Sequence, residues 1–170
     1  MMIQKFSMRL VVFVVAAAVL TACGPKEKAE KTEPAAASAE SGQKSGTGEA
    51  LVIPVKDISS TAQFYPVDVD GTKMEVIAVK APDGTIRTAF NTCQVCYDSG
   101  RGYYKQENDV LVCQNCGNRF PMSRVEVEAG GCNPWPIFDE NKTVTDESIT
   151  ISDEFLQESR DIFANWKAAY

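Results

Sequence analysis

Apolar residues fall into three regimes along this chain. Leu10 to Leu20 is an unbroken apolar run, Gly24 to Ala50 holds no large apolar residue, and from Leu51 onward apolar positions return in short bursts. The bursts have strand length. Leu51-Val52-Ile53-Pro54-Val55 predicts a strand of edge character, because proline cannot donate to a ladder. Lys73 to Lys80 partly alternates and predicts a second strand. Pro82-Asp83-Gly84 is a turn signal, and Thr85 to Phe90 is the returning strand. Tyr103 to Lys105 and Val110 to Val112 predict two more strands around Asn108-Asp109. The end of the chain changes period. Ser152 suits an N-cap, Asp153 and Glu154 suit a first turn, and Phe155, Ser159, Ile162, Phe163 and Trp166 share one helical face that packs on the core. The expected architecture is a mainly β (α+β) domain over residues 51–170, closed by a C-terminal amphipathic helix.

The first two regimes read as export and tethering. Lys5 and Arg9 precede the apolar run, and Leu20-Thr21-Ala22-Cys23 follows it. A basic start, an apolar stretch and small residues before a cut site mark a secretory signal, here residues 1–22. The run is short of the roughly 20 apolar residues that a membrane span needs. A cysteine directly after the cut resembles the lipobox of bacterial lipoproteins, in which the thiol takes a diacylglycerol group. Cys23 is therefore the expected lipidation site, and residues 23–50 a flexible lipidated linker. The expected location is extracytoplasmic, in the cell envelope and anchored to a membrane. No adjacent arginines precede the run, which implies export as an unfolded chain.

Composition narrows the chemistry. The 170 residues carry 17 Lys plus Arg against 23 Asp plus Glu, a formal charge of −6. No basic stripe is present, so a nucleic-acid partner is not expected. There is no histidine, which excludes a Ser-His-Asp triad, histidine-ligated haem and a Rieske centre with two histidine ligands. With no acid–base pair or phosphate loop to point to, a carrier or metal-binding protein is expected rather than an enzyme.

The candidate chemistry lies in the cysteines. Cys93-Gln94-Val95-Cys96 is followed, after residues 97–112, by Cys113-Gln114-Asn115-Cys116. Two thiolates three positions apart turn toward one metal when the backbone between them makes a tight knuckle, and two knuckles supply four sulfurs. Gly117 lets the backbone fold close to the second pair. Spacing leaves three alternatives open. One is an iron or iron–sulfur redox centre held by Cys93, Cys96, Cys113 and Cys116. Another is a structural zinc of the ribbon kind, in a module for partner recognition. The third is a thiol–disulfide redox protein. A fifth cysteine, Cys132, sits in Gly130-Gly131-Cys132-Asn133-Pro134-Trp135-Pro136. That density of glycine and proline dictates a shaped loop. Cys132 is either a packing thiol or an additional ligand or redox residue on a loop that covers the centre.

A family likeness runs through these residues. Phe90-Asn91-Thr92-Cys93-x-x-Cys96, Gly102-Tyr103-Tyr104, Val112-Cys113-x-x-Cys116 and Gly130-Gly131-Cys132-Asn133-Pro134 resemble the membrane iron–sulfur-containing FtrD-like family. Phe64-Tyr65-Pro66, Asp70-Gly71, Pro82 to Arg87 and Phe155 to Lys167 fit it too. The resemblance implies an iron–sulfur centre, electron transfer or metal handling linked to ferrous iron uptake, and an iron permease or membrane oxidoreductase as partner. Many relatives are polytopic membrane proteins, whereas a lipid anchor is expected here. Leu111 to Phe120 is also similar to the second ligand loop of Rieske domains, with cysteine in the place of histidine. Rieske-like and zinc-ribbon-like arrangements are thus the two expected forms of the domain.

Overall fold

The computed structural model describes residues 48–168. The signal segment 1–22, Cys23 and the linker as far as residue 47 lie outside the described residues, as do 169 and 170. Ten strands follow in chain order: β1 Leu51–Pro54, β2 Gln63–Val69, β3 Thr72–Lys80, β4 Ile86–Cys93, β5 Tyr104–Glu107, β6 Val110–Cys113, β7 Arg119–Pro121, β8 Pro134–Pro136, β9 Thr143–Val144 and β10 Ser148–Ile151. One short helix, α1 Asp153–Glu158, comes after them. The protein is mainly β. Its three antiparallel sheets have the orders β2-β3-β4-β8, β1-β10-β9 and β5-β6-β7.

The four-stranded sheet divides two apolar cores. Met74 to Val79 of β3 are all buried, because both faces of that strand are covered. Met74, Val76 and Ala78 enter the first core, while Ile77 and Val79 enter the second. β4 divides likewise, with Phe90 in the first core and Ala89 and Cys93 in the second. The first core is filled out by Leu51 and Ile53 of β1, Ile149 and Ile151 of β10, and Leu156 and Phe163 of the closing segment. The second core holds Cys93, Cys96 and Cys113 together with Tyr104, Leu111 and Phe120. The sheet thus places the cysteine-bearing hairpins on one side and the sheet of β1 and β10 on the other.

Several elements differ in detail from the sequence expectation. β2 does not show in the pattern because Pro66 interrupts it. It is an edge strand, paired only with β3, where a missing N–H is cheapest. Pro54 of β1 obeys the same rule. β4 runs on past Phe90 to Cys93. Within the Gly130–Pro136 loop, Pro134–Pro136 pairs with the end of β4. The closing segment is helical in two pieces. Ser152 caps α1 through its side chain, as expected, but α1 stops at Glu158 and a 3-10 turn, Arg160–Phe163, continues. Ser159 Oγ donates to the Phe155 carbonyl at 2.9 Å, a local bond that competes with regular helix at that point. Phe90 nonetheless packs against both Phe155 and Phe163, at centroid distances of 5.8 Å and 5.5 Å.

Candidate metal centre

Each Cys-x-x-Cys turn begins on the last residue of a strand. Cys93 ends β4 and Cys113 ends β6, and the next three residues turn. One short segment straps both turns. The Cys93 N–H donates to the Gly102 carbonyl at 2.8 Å, and the Gln114 N–H donates to the adjacent Tyr103 carbonyl at 2.8 Å. Gly102 is required by space. A Cβ there would lie 2.8 Å from the Cys96 backbone, closer than side chains approach. Gly117 has φ +73° and donates its N–H to the Cys113 carbonyl at 2.9 Å, which closes the second turn.

A buried amide sets the alignment of the two hairpins. Asn91 lies two residues before Cys93 and is 2 % exposed. Its Oδ1 accepts the Tyr104 N–H at 2.6 Å, and its Nδ2 donates to the Glu75 carboxylate. Tyr104 is the cross-strand partner of Cys113. Asn91 therefore fixes Cys113 opposite Cys93 across two different sheets. Trp166 Nε1 donates to the Asn91 carbonyl at 2.8 Å and ties the closing segment to the same point. Asn91→Ala should cost about 1–3 kcal/mol, since it strands a buried N–H without its acceptor. Denaturant unfolding of the full chain measures this, and a change inside the noise of surface substitutions would show that the amide is dispensable.

The Cys132 loop is held down by both hairpins. Gln94 does most of the holding. Its N–H donates to the Asn133 carbonyl at 3.0 Å, its Nε2 to the Pro134 carbonyl at 3.1 Å, and its Oε1 accepts the Gly130 N–H at 2.9 Å. The Cys132 carbonyl accepts from Tyr104 Oη and from Asn118 Nδ2, each at 2.8 Å. Gly130 and Gly131 both have positive φ, a backbone conformation that favours glycine. The loop lies against both turns, with the Cys132 sulfur within 4.8 Å of those of Cys93 and Cys96. The part of Gln94, Asn118 and Asn91 was not foreseen, because an amide side chain in a sequence reads as solvated until its partners are known.

The five cysteines among the described residues come together as free thiols. Their sulfurs form two sets that share one member. Those of Cys93, Cys96 and Cys132 lie within 4.8 Å of one another, as do those of Cys96, Cys113 and Cys116. Cys93, Cys96 and Cys113 are buried, Cys132 is half-buried and Cys116 is exposed. Burial pushes the Cys113 thiol up to about 12 and raises that of Cys96. A hydrogen bond with Cys116, then burial, raises Cys132 to about 12. Burial also pulls Cys116 upward. There it is outweighed by the Asn118 N–H and by hydrogen bonds from Cys113, Cys96 and Cys132, which hold the thiol below its ordinary value. The surroundings of the exposed Cys116 thus favour its ionised form. A metal cation entering there would displace the protons from the inner thiols as it bound.

This donor set is all sulfur, comes from three chain segments and is mostly withdrawn from water. It fits a thiolate-held metal or an iron–sulfur centre. Fold and site together define a mainly β protein with a cysteine cluster suited to binding metal. Residues 56–163 match the family described as membrane iron–sulfur containing protein FtrD-like, and the chain belongs to that family. No curated protein and no solved structure matches the chain. The family is membrane-associated, and among the described residues no helix is long and apolar enough to cross a membrane.

Proposed function

We propose that this protein is a lipid-anchored electron carrier of the cell envelope, whose Cys93, Cys96, Cys113 and Cys116 hold an iron–sulfur centre that serves iron uptake. The observation that carries the reading is the meeting of sulfurs from both Cys-x-x-Cys turns at metal-ligand spacing. The family supports iron–sulfur chemistry in particular. When bound, such a centre supplies one-electron transfer, and the residues around it set its potential through hydrogen bonds and solvent exclusion. Gln94, Tyr104 and Asn118 would do so by fixing the loop that screens it. An iron permease or a membrane oxidoreductase is the partner in this reading, brought close by the lipid on Cys23.

Anaerobic purification of the full chain tests the centre. Visible absorption that bleaches on reduction, with iron and sulfide in the protein, is the expected result. A colourless protein containing zinc would turn the reading to a structural zinc module, and one with neither metal would turn it to thiol–disulfide exchange. The anchor has its own test. Cys23→Ser should abolish incorporation of labelled fatty acid, since only the thiol accepts the glyceride. Undiminished label in that variant would remove the anchor from the proposal.

A further inference from the structure

Four thiolates complete a tetrahedral shell around a metal, and four hold an iron–sulfur cluster. Five are gathered here. Three of them, Cys93, Cys96 and Cys113, form a buried floor, 0 %, 7 % and 1 % exposed. The other two lie on the outer side. Cys116 belongs with Cys96 and Cys113, while Cys132 belongs with Cys96 and Cys93. Each outer sulfur thus shares Cys96 and takes one further floor sulfur.

A cysteine kept only for packing needs no aim. The backbone around Cys132 is aimed by five hydrogen bonds, three from Gln94 and one each from Tyr104 and Asn118. Those bonds come from the hairpins that carry the other four sulfurs. A chain segment fixed to both hairpins holds its thiol in place before any metal arrives, so little ordering cost opposes ligation.

We propose that Cys116 and Cys132 are alternative outer ligands of one centre, and that their exchange opens it for transfer of its iron or cluster to a thiol-bearing acceptor. This rests on the thiolate-centre reading above. In the exchange, the Cys132 sulfur would bond to the metal as the Cys116 sulfur gave up its own bond. The Cys132 thiol would give up its proton to solvent, and the released thiolate of the exposed Cys116 would take one up. Charge and oxidation state are unchanged. An acceptor thiolate arriving at the exposed Cys116 side can replace an outer ligand by the same swap, while the three floor sulfurs keep their grip until it has bound.

The test uses the full chain reconstituted anaerobically with ferrous iron and sulfide. Cys116→Ser and Cys132→Ser should each keep close to the wild-type iron content, with altered spectra. The double variant should bind more weakly by about tenfold or more, at least the loss that follows when a ligand's support is removed. Iron transfer to a dithiol chelator should slow in Cys132→Ser, where the second outer ligand is gone. Alkylation of the loaded wild type removes any dependence on variant folding. It should label one outer thiol per chain, divided between Cys116 and Cys132. Label confined to Cys132 would mean a fixed ligand set and overturn the proposal, as would loss of iron from Cys116→Ser alone. A wild type that binds no iron under these conditions overturns the centre itself, and is told apart by the missing absorption before any variant is made.

Discussion

Cys113→Ser will destabilise the metal-loaded domain by several kcal/mol, the largest effect expected of any single substitution here. Cys113 closes β6 and is 1 % exposed. It is also the floor sulfur that the Cys116 set shares with no other. Two costs combine. In protein without metal, serine places a hydroxyl where a thiol sat in an apolar core, a penalty of about 1–3 kcal/mol when no partner is found. With metal the greater loss appears, because binding free energy is folding free energy when the unfolded chain has no preformed site. Thermal melts of wild type and variant, each with and without chelator, separate the two. The wild type should melt lower with chelator, and the variant should respond much less. Wild-type melting that ignores chelator and falls on adding a reductant would instead point to disulfides.

Gly100→Ala should cost about 2–5 kcal/mol, from left-handed backbone and overpacking together. Gly100 follows the turn after Cys96 and has φ +73°. A Cβ there would stand 2.2 Å from the Asn165 carbonyl oxygen, which is backbone and cannot swing aside. The Gly100 carbonyl also accepts the Lys167 N–H at 2.8 Å. The closing segment therefore lies directly on this glycine. Gly84 is the control. Its φ is +85°, yet nothing lies within 4 Å of its added Cβ. Gly84→Ala should lose only the left-handed component, about 1–2 kcal/mol. Equal losses at the two sites in denaturant unfolding would show that the closing segment yields without cost.

The cysteine spacing exposed the site in the sequence because a knuckle is a local device, written in four consecutive residues. The supports are not local. Asn91 and Thr92 end the apolar run of β4, so by pattern alone the strand stops at Phe90. It continues because the Asn91 amide finds its partners on Glu75 and Tyr104, 16 and 13 residues away. Gln94 is equally opaque, since its side chain reaches across to Gly130 and Pro134. The strands of the first core are unevenly legible for a related reason. Leu51 and Ile53 announced β1, but Ile149 and Ile151 are two apolar residues before a helix cap and say little alone. They become β10 by pairing with β1, Ile151 opposite Leu51 and Ile149 opposite Ile53. The closing apolar residues suited a continuous helix by period, and period alone does not register the break at Ser159.

The two cores separated by the four-stranded sheet are also two regions of unequal thermodynamic protection. The sulfurs of Cys93, Cys96 and Cys113 belong to the second core, and the β1–β10 ladder to the first. Ligand binding stabilises the states that retain the site, so partial openings that leave it intact gain nothing from the metal. Fraying of the β1–β10 ladder is such an opening. Amides of β5 and β6 should exchange with solvent deuterium far more slowly once metal is bound, while those of β1 continue near their former rate. Uniform slowing across both cores would mean that the sheet transmits stability instead of partitioning it. On the partitioned scheme, the strand nearest the expected anchor can breathe repeatedly without releasing what the cysteines hold.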